Sequence, residues 1–191
     1  PLTHWVLPEL THWPPESATL TMKFWRSWAN WVAGVTWALL YSYSAELWLT
    51  APRRERLCSY EEIPLTLVKH SGSGHIEAEL VEVGPGTGEG AYTGKDVRGK
   101  IVLSTGSSAE VMREACQKRG AAGVITYFAP DVRPGYPQMI RYTAFWPGWE
   151  ERDRLGFGFN VSKNQGAALK RLIDEGQKVT LRADVDTEFF E

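Results

Sequence analysis

The residues able to do chemistry in this chain are few and scattered. Its four histidines are His4, His12, His70 and His75. No two of them stand at the i, i+4 spacing that puts two imidazoles on one helical face, and no HExxH pattern surrounds them. His4 and His12 fall in the near-repeat Leu2-Thr3-His4-Trp5 and Leu10-Thr11-His12-Trp13, which reads as two similar strand ends. Cys58 and Cys116 lack zinc-ligand spacing and allow either one bridge or two free thiols. The carboxylate pairs Glu61-Glu62, Glu150-Glu151 and Asp184/Asp186 read as solvated charges. The glycine-rich run Gly84-Pro85-Gly86-Thr87-Gly88-Glu89-Gly90 leads into Tyr92-Thr93-Gly94-Lys95-Asp96 and another strand. A phosphate cradle needs a helix N-terminus directly after its glycines, so this run reads as a turn. No GxSxG elbow is present, and nothing assembles a nucleophile, a base and an oxyanion donor. The expectation is no catalytic residue and no metal ligand in this chain.

Binding chemistry concentrates in one place. Pro130 to Arg154 carries Pro134-Gly135-Tyr136-Pro137, then Tyr142, Phe145, Trp146 and Trp149, together with Arg133 and Arg141. Loops this long usually serve a function or are mobile. Aromatic rings and arginines are the residue types that anchor interfaces. The candidate contact residues are Arg133, Tyr136, Tyr142, Trp146 and Trp149. The competing use of these aromatics is to pin the loop to the body of the domain. Pro130, Pro134, Pro137 and Pro147 remove backbone donors and make the segment a poor strand. Tyr142, Trp146 and Trp149 are expected on one side of the domain, with at least one ring partly exposed.

The chain has 191 residues, enough for one domain, or one domain with an extension. Its net charge of -2 gives no basic excess for nucleic-acid binding. With 43% hydrophobic and 23% charged residues it is not a disordered chain. It begins at Pro1 without Met, which implies processing or excision and leaves any targeting signal open. Seven of the nine tryptophans fall in the first 50 residues, with a composition break near Pro52. Residues 1–44 therefore form a Trp-rich N-terminal segment, read as packed strands, and residues 45–191 the main domain. Ser27 to Ala45 carries no charge over about the ~20 residues that a membrane helix needs. Its polar residues, and the alternation from Tyr41 to Leu49, favour strands over a membrane span.

Further elements follow from pattern. Strands are expected at Ile63–Lys69, His75–Val83, Lys100–Ser104, Ala121–Phe128 and Val179–Val185. A helix is expected over Ser108–Arg119, capped by Ser108 and ended by Gly120 in a left-handed conformation. A second starts after Ser162, runs to about Glu175 and stops at Gly176. The fold class expected is α/β of the α+β type: a small mixed β-barrel or sandwich with two flanking helices.

The stretch Gly94-Lys95-Asp96-Val97-Arg98-Gly99-Lys100-Ile101-Val102-Leu103, then Ala115 and Arg119-Gly120-Ala121-Ala122-Gly123-Val124-Ile125-Thr126-Tyr127, resembles the protease-associated (PA) domain. Ala45-Glu46-Leu47-Trp48-Leu49, Pro64-Leu65-Thr66-Leu67, Leu80-Val81-Glu82-Val83-Gly84 and Gly156-Phe157-Gly158-Phe159-Asn160-Val161-Ser162 resemble the PA insert of secreted or periplasmic M28-type zinc aminopeptidases. The ending from Leu169 to Val185 fits as well, so the resemblance covers about residues 45–186. It implies an accessory role as a substrate-access lid or a protein or peptide recognition surface. It also implies that zinc and the catalytic glutamate belong to a peptidase domain of the same polypeptide, with none in this chain. That domain and a peptide substrate are the expected partners; nucleic acid and membrane are not. Two rivals stand beside this reading: a standalone peptide- or protein-binding PA module, and a membrane-associated protein using its Trp-rich N-terminus.

Overall fold

The computed structural model describes residues 39–127 and 136–190. The first expected unit, residues 1–44, thus lies largely outside the described residues, as do His4, His12 and Arg133.

Strand β1 runs Leu39–Ala51 and β2 runs Glu55–Ser59. Three short parallel strands, β4 (Ile101–Ser104), β5 (Gly123–Thr126) and β6 (Phe157–Asn160), follow the longer β3 (Gly74–Glu82). The chain returns through β7 (Thr180–Phe190). All seven strands belong to one mixed sheet in the order β2-β1-β7-β3-β4-β5-β6. The sheet curls into a half-barrel, not a sandwich of two sheets. β7 runs antiparallel to both neighbours, with Leu39 opposite Phe190 and Gly74 opposite Val185.

β4, β5 and β6 are buried along their whole length. That is the signature of parallel strands covered on both faces. Side chains alternate across the pleat, so Ile101 and Leu103 pack with Leu47, Leu49, Leu181 and Leu169, whereas Val102 packs with Val111, Met112 and Phe145. Each fully buried Leu or Ile of this kind contributes roughly 1.5–3 kcal/mol.

Helix α1 spans Ser108–Val111 and continues as a π-helix over Met112–Gln117. Ser107, not Ser108, occupies the N-cap, and no side chain caps it. Gly120 has φ 73° and closes the turn: its N–H donates to Cys116 O at 3.0 Å, and the Ala121 N–H donates to Ala115 O at 2.9 Å. Helix α2 spans Lys163–Asp174 and matches its sequence signals at both ends. Ser162 and Gln165 form a reciprocal capping box. Gly176, at φ 76°, ends the helix with its N–H on Ile173 O, and the Gln177 N–H reaches Leu172 O.

One expected strand is overturned. Ile63–Lys69 opens instead with a 3-10 turn over Pro64–Thr66, where the Thr66 N–H and hydroxyl both donate to Ile63 O. Pro64 fixes φ and offers no donor, which suits a turn start better than a ladder. Only Leu67 and Lys69 then make isolated bridges, to Phe159 and Ala144. The last strand is longer than expected, because its end pairs with the start of β1.

Both cysteines are free thiols in the core. Burial pushes each from its ordinary 9.0 up to about 12. Burial likewise raises the Tyr92 phenol to about 12, against the pull of Arg119, whose guanidinium lies 4.2 Å from the ring.

Gly120→Val should destabilise the protein by roughly 1–3 kcal/mol, the cost of a β-branched residue held at positive φ. An added Cβ meets nothing closer than Arg98 Cγ at 3.7 Å, so the cost arises from the backbone conformation and not from a clash at Cβ. An unchanged denaturation midpoint would contradict this. A second expectation concerns pH. These groups ionise more easily unfolded than folded, so their contribution is complete below about pH 9 and is lost as pH rises toward 12. Urea titrations across that range should show stability falling, and falling less in Cys116→Ala; equal slopes in the two proteins would refute the assignment.

Candidate functional site

The aromatic segment is seated by a gap in β6. Phe157 and Phe159 face the α2 side of the sheet, leaving Gly158 on the other face. A Cβ on Gly158 would come within 2.4 Å of the Phe145 ring and 2.9 Å of Val68 Cγ2. The missing side chain is therefore the socket in which Phe145 sits, 2% exposed. Backbone bonds fix the register of the segment above it. The Lys69 N–H donates to Thr143 O at 3.0 Å, and the Phe145 N–H donates back to Lys69 O at 2.8 Å. Ser71 completes the seat, its hydroxyl donating to Val68 O and accepting from the Gly158 N–H.

His70 holds the next position. It is buried, takes a left-handed φ of 65°, and its Nδ1 lies 2.6 Å from Phe145 O. A carbonyl oxygen only accepts, so Nδ1 carries the proton and donates. The imidazole also lies against the Trp146 indole, with ring centroids 5.4 Å apart and planes tilted by 57°. A non-glycine residue at positive φ is strained and persists where its surroundings hold it. Here the hydrogen bond and the ring contact do so.

At the other end of the segment, the Met139 N–H donates to Tyr136 O at 3.1 Å, and the Asn164 N–H of α2 donates to Pro137 O at 3.4 Å. The Ser162 hydroxyl reaches Gln138 Oε1 at 2.9 Å. The middle is tied through Thr143, whose hydroxyl donates to Asn160 Oδ1 at 2.8 Å.

On this support several large apolar side chains face outward. Tyr136 is 63% exposed, Tyr142 56% and Trp146 68%. Met139, Ile63 and Leu65 are also exposed. Trp149 opens a 3-10 helix running to Arg154, and its side chain lies outside the described residues, as does Arg133. Of the five residues the sequence proposed for contact, three are thus placed, all exposed. The sequence reading missed Ile63, Leu65 and Met139, and it missed the residues that hold the surface: His70, Thr143, Gly158 and Asn160. A polar Asn closing an apolar strand, in Gly156-Phe157-Gly158-Phe159-Asn160, was the available signal.

The remaining chemistry is structural. Glu114 is held below the usual carboxylate range by hydrogen bonds from Lys118 and Arg119. His75 lies 3.0 Å from Asp186 and 3.5 Å from Asp184. Among the described residues no group of three or more His, Cys, Asp or Glu is placed to hold a metal ion. Among them, too, no helix is long and apolar enough to cross a membrane. Tyr136, Tyr142 and Trp146 each offer ring faces and edges, which suit contact with apolar or aromatic groups.

No family model and no curated protein sequence matches the chain. Solved structures do. An aminopeptidase from Aneurinibacillus sp. strain AM-1 aligns over 93% of this chain with a TM-score of 0.56 and 21% identity. A zinc aminopeptidase from Bacillus subtilis aligns over 88% with a TM-score of 0.52 and 16% identity. The alignments span 40% and 37% of those two proteins. At such identities the shared property is the fold: the chain is built like one part of these aminopeptidases.

Proposed function

We propose that this chain is a non-catalytic, protease-associated domain of an M28-like zinc aminopeptidase, working as a substrate-access lid or peptide recognition surface. The observation that carries the reading is the outward display of Tyr136, Tyr142 and Trp146 on a segment anchored to α2, Asn160 and His70. Solvent-facing aromatics on a fixed support are what a docking surface needs, because little ordering entropy remains to be lost on contact. A second observation supports the domain's place in a larger chain. β1 enters and β7 leaves side by side, with Leu39 paired to Phe190, so an inserted domain could hang from this ribbon without disturbing its host. The structural likeness to part of two aminopeptidases agrees with this.

The described residues do not fit a zinc centre, so hydrolysis is assigned to the peptidase domain of the same polypeptide. This domain would contribute by limiting access or by holding the peptide, which changes binding rather than chemistry. The sequence resemblance favours a secreted or periplasmic location as part of this proposal. The net charge of -2 keeps nucleic acid out of the proposal.

Two experiments test it. The purified chain is expected to hold no stoichiometric zinc and to cleave no aminoacyl substrate. One tightly bound zinc per chain, or cleavage abolished by a chelator, would overturn the non-catalytic assignment. In the polypeptide that joins this domain to its peptidase, Trp146→Ala should raise KM for peptides about ten-fold with kcat little changed, as loss of an interfacial Trp does. Unchanged hydrolysis of both short and long peptides would refute the docking role.

A further inference from the structure

Asn160 closes β6 and is 4% exposed. Its side-chain oxygen accepts two hydroxyls, from Thr126 at 3.2 Å and Thr143 at 2.8 Å. Its nitrogen donates to Leu65 O at 3.2 Å. This arrangement fixes the amide's orientation, because a flip would set its oxygen against the Leu65 carbonyl with no proton between them. Thr126 is Asn160's partner in the β5–β6 ladder, so that contact lies within the rigid sheet. The other two contacts reach outward. Thr143 follows the exposed Tyr142, and Leu65 is itself exposed, in the Pro64–Thr66 turn. Two surface segments some eighty residues apart in sequence thus meet on one buried amide, a spacing seen directly in the Leu65-to-Asn160 and Thr143-to-Asn160 bonds.

We propose that Asn160 is a positioning residue for the recognition surface: it sets the distance between the Leu65 turn and the Tyr142–Trp146 segment, and so the peptide-binding shape of that surface. The inference rests on the docking role proposed above for its consequence, and on the hydrogen-bond geometry alone for its cause. A buried amide with each polar group engaged is stiff, and removing one partner leaves a desolvated group unsatisfied. The sheet transmits its rigidity to both segments through this side chain, as supporting residues do behind binding sites.

Amide hydrogen exchange separates the positioning effect from general destabilisation. The reporters for the aromatic segment are the Lys69 and Phe145 N–H groups, and for the turn the Val68 N–H on Gly158 O. In the full chain, Thr143→Val should speed exchange at Lys69 and Phe145 about ten-fold, the scale of one lost hydrogen bond, with the Ile101–Ser104 amides unchanged. Thr143→Ser keeps the hydroxyl and should exchange like the native protein. Asn160→Leu should loosen both segments, including Val68. Native-like exchange in Thr143→Val, or equal acceleration across Ile101–Ser104, overturns the proposal. In the peptidase-linked polypeptide, Thr143→Val should raise KM while holding kcat. If Trp146→Ala raises KM and Thr143→Val does not, the shape-setting role is wrong. If Trp146→Ala itself leaves KM unchanged, the docking reading fails, and the exchange data still decide whether Asn160 positions the two segments.

Discussion

The structure depends on one pairing: β7, the last strand, lies between two strands that precede it by a hundred residues or more in sequence. Without β7 the sheet would divide into β2-β1 and β3-β4-β5-β6, since among the described residues no other strand joins those groups. Leu181, Ala183 and Val185 of β7 are fully buried, and they pack with Ala45, Leu47 and Leu49 of β1. Chain-closure entropy must be overcome before such contacts repay it. The pairings from β3 to β6 join residues far closer in sequence, as with Leu80 and Ile101, Ile101 and Gly123, and Gly123 and Phe157, so the loops they close cost less entropy than those closed by β7. One sheet edge then falls on β2, where Glu55 and Arg56, with Arg53 and Arg54 just before them, discourage further strand addition.

The same sheet decides where the surface chemistry can sit. β5 and β6 approach closely because Gly123 has no side chain; a Cβ there would lie 2.2 Å from the Phe157 ring. α2 approaches just as closely at Gly166, where a Cβ would meet Tyr127 at 2.2 Å. These contacts commit one face of β6 to the core. Its other face, opened at Gly158, becomes the socket for Phe145 and hence the base of the exposed aromatics. Core packing and surface display are therefore successive residues of one strand, read on alternate faces.

Much of this was legible where the cause is local. The Ser162 start of α2, its stop at Gly176 and the left-handed Gly120 depend on neighbours within one turn, and sequence alone placed them. The buried strands β4 and β5 were legible too, because continuous apolar runs between turn residues have few other uses, whereas β2 and β6 carried no strand expectation. Other features failed the same reading. The N-cap of α1 shifted by one residue to Ser107, and the helix widened into a π turn. Ile63–Lys69 alternates well enough for a strand, yet Pro64 and Thr66 satisfy the backbone locally first. The ends of β1 and β7 extend because they pair with each other across the length of the domain, a partner no local window contains.

The surface shows the same division between local and distant causes. Proline spacing and ring content announced an exposed aromatic segment, since a proline-rich loop has no ladder with which to cover its rings. What fixes that segment was not announced. His70 is tied to Phe145 across 75 positions, and Asn160 to Leu65 across 95. Neither residue type signals such a role by itself, because a histidine or asparagine satisfies its polar atoms in many ways. Each becomes readable only when burial removes water as the alternative partner, which makes the hydrogen bonds within the protein obligatory. The exposed rings advertise the proposed contact surface, while the buried polar atoms beneath them hold the segment that carries it.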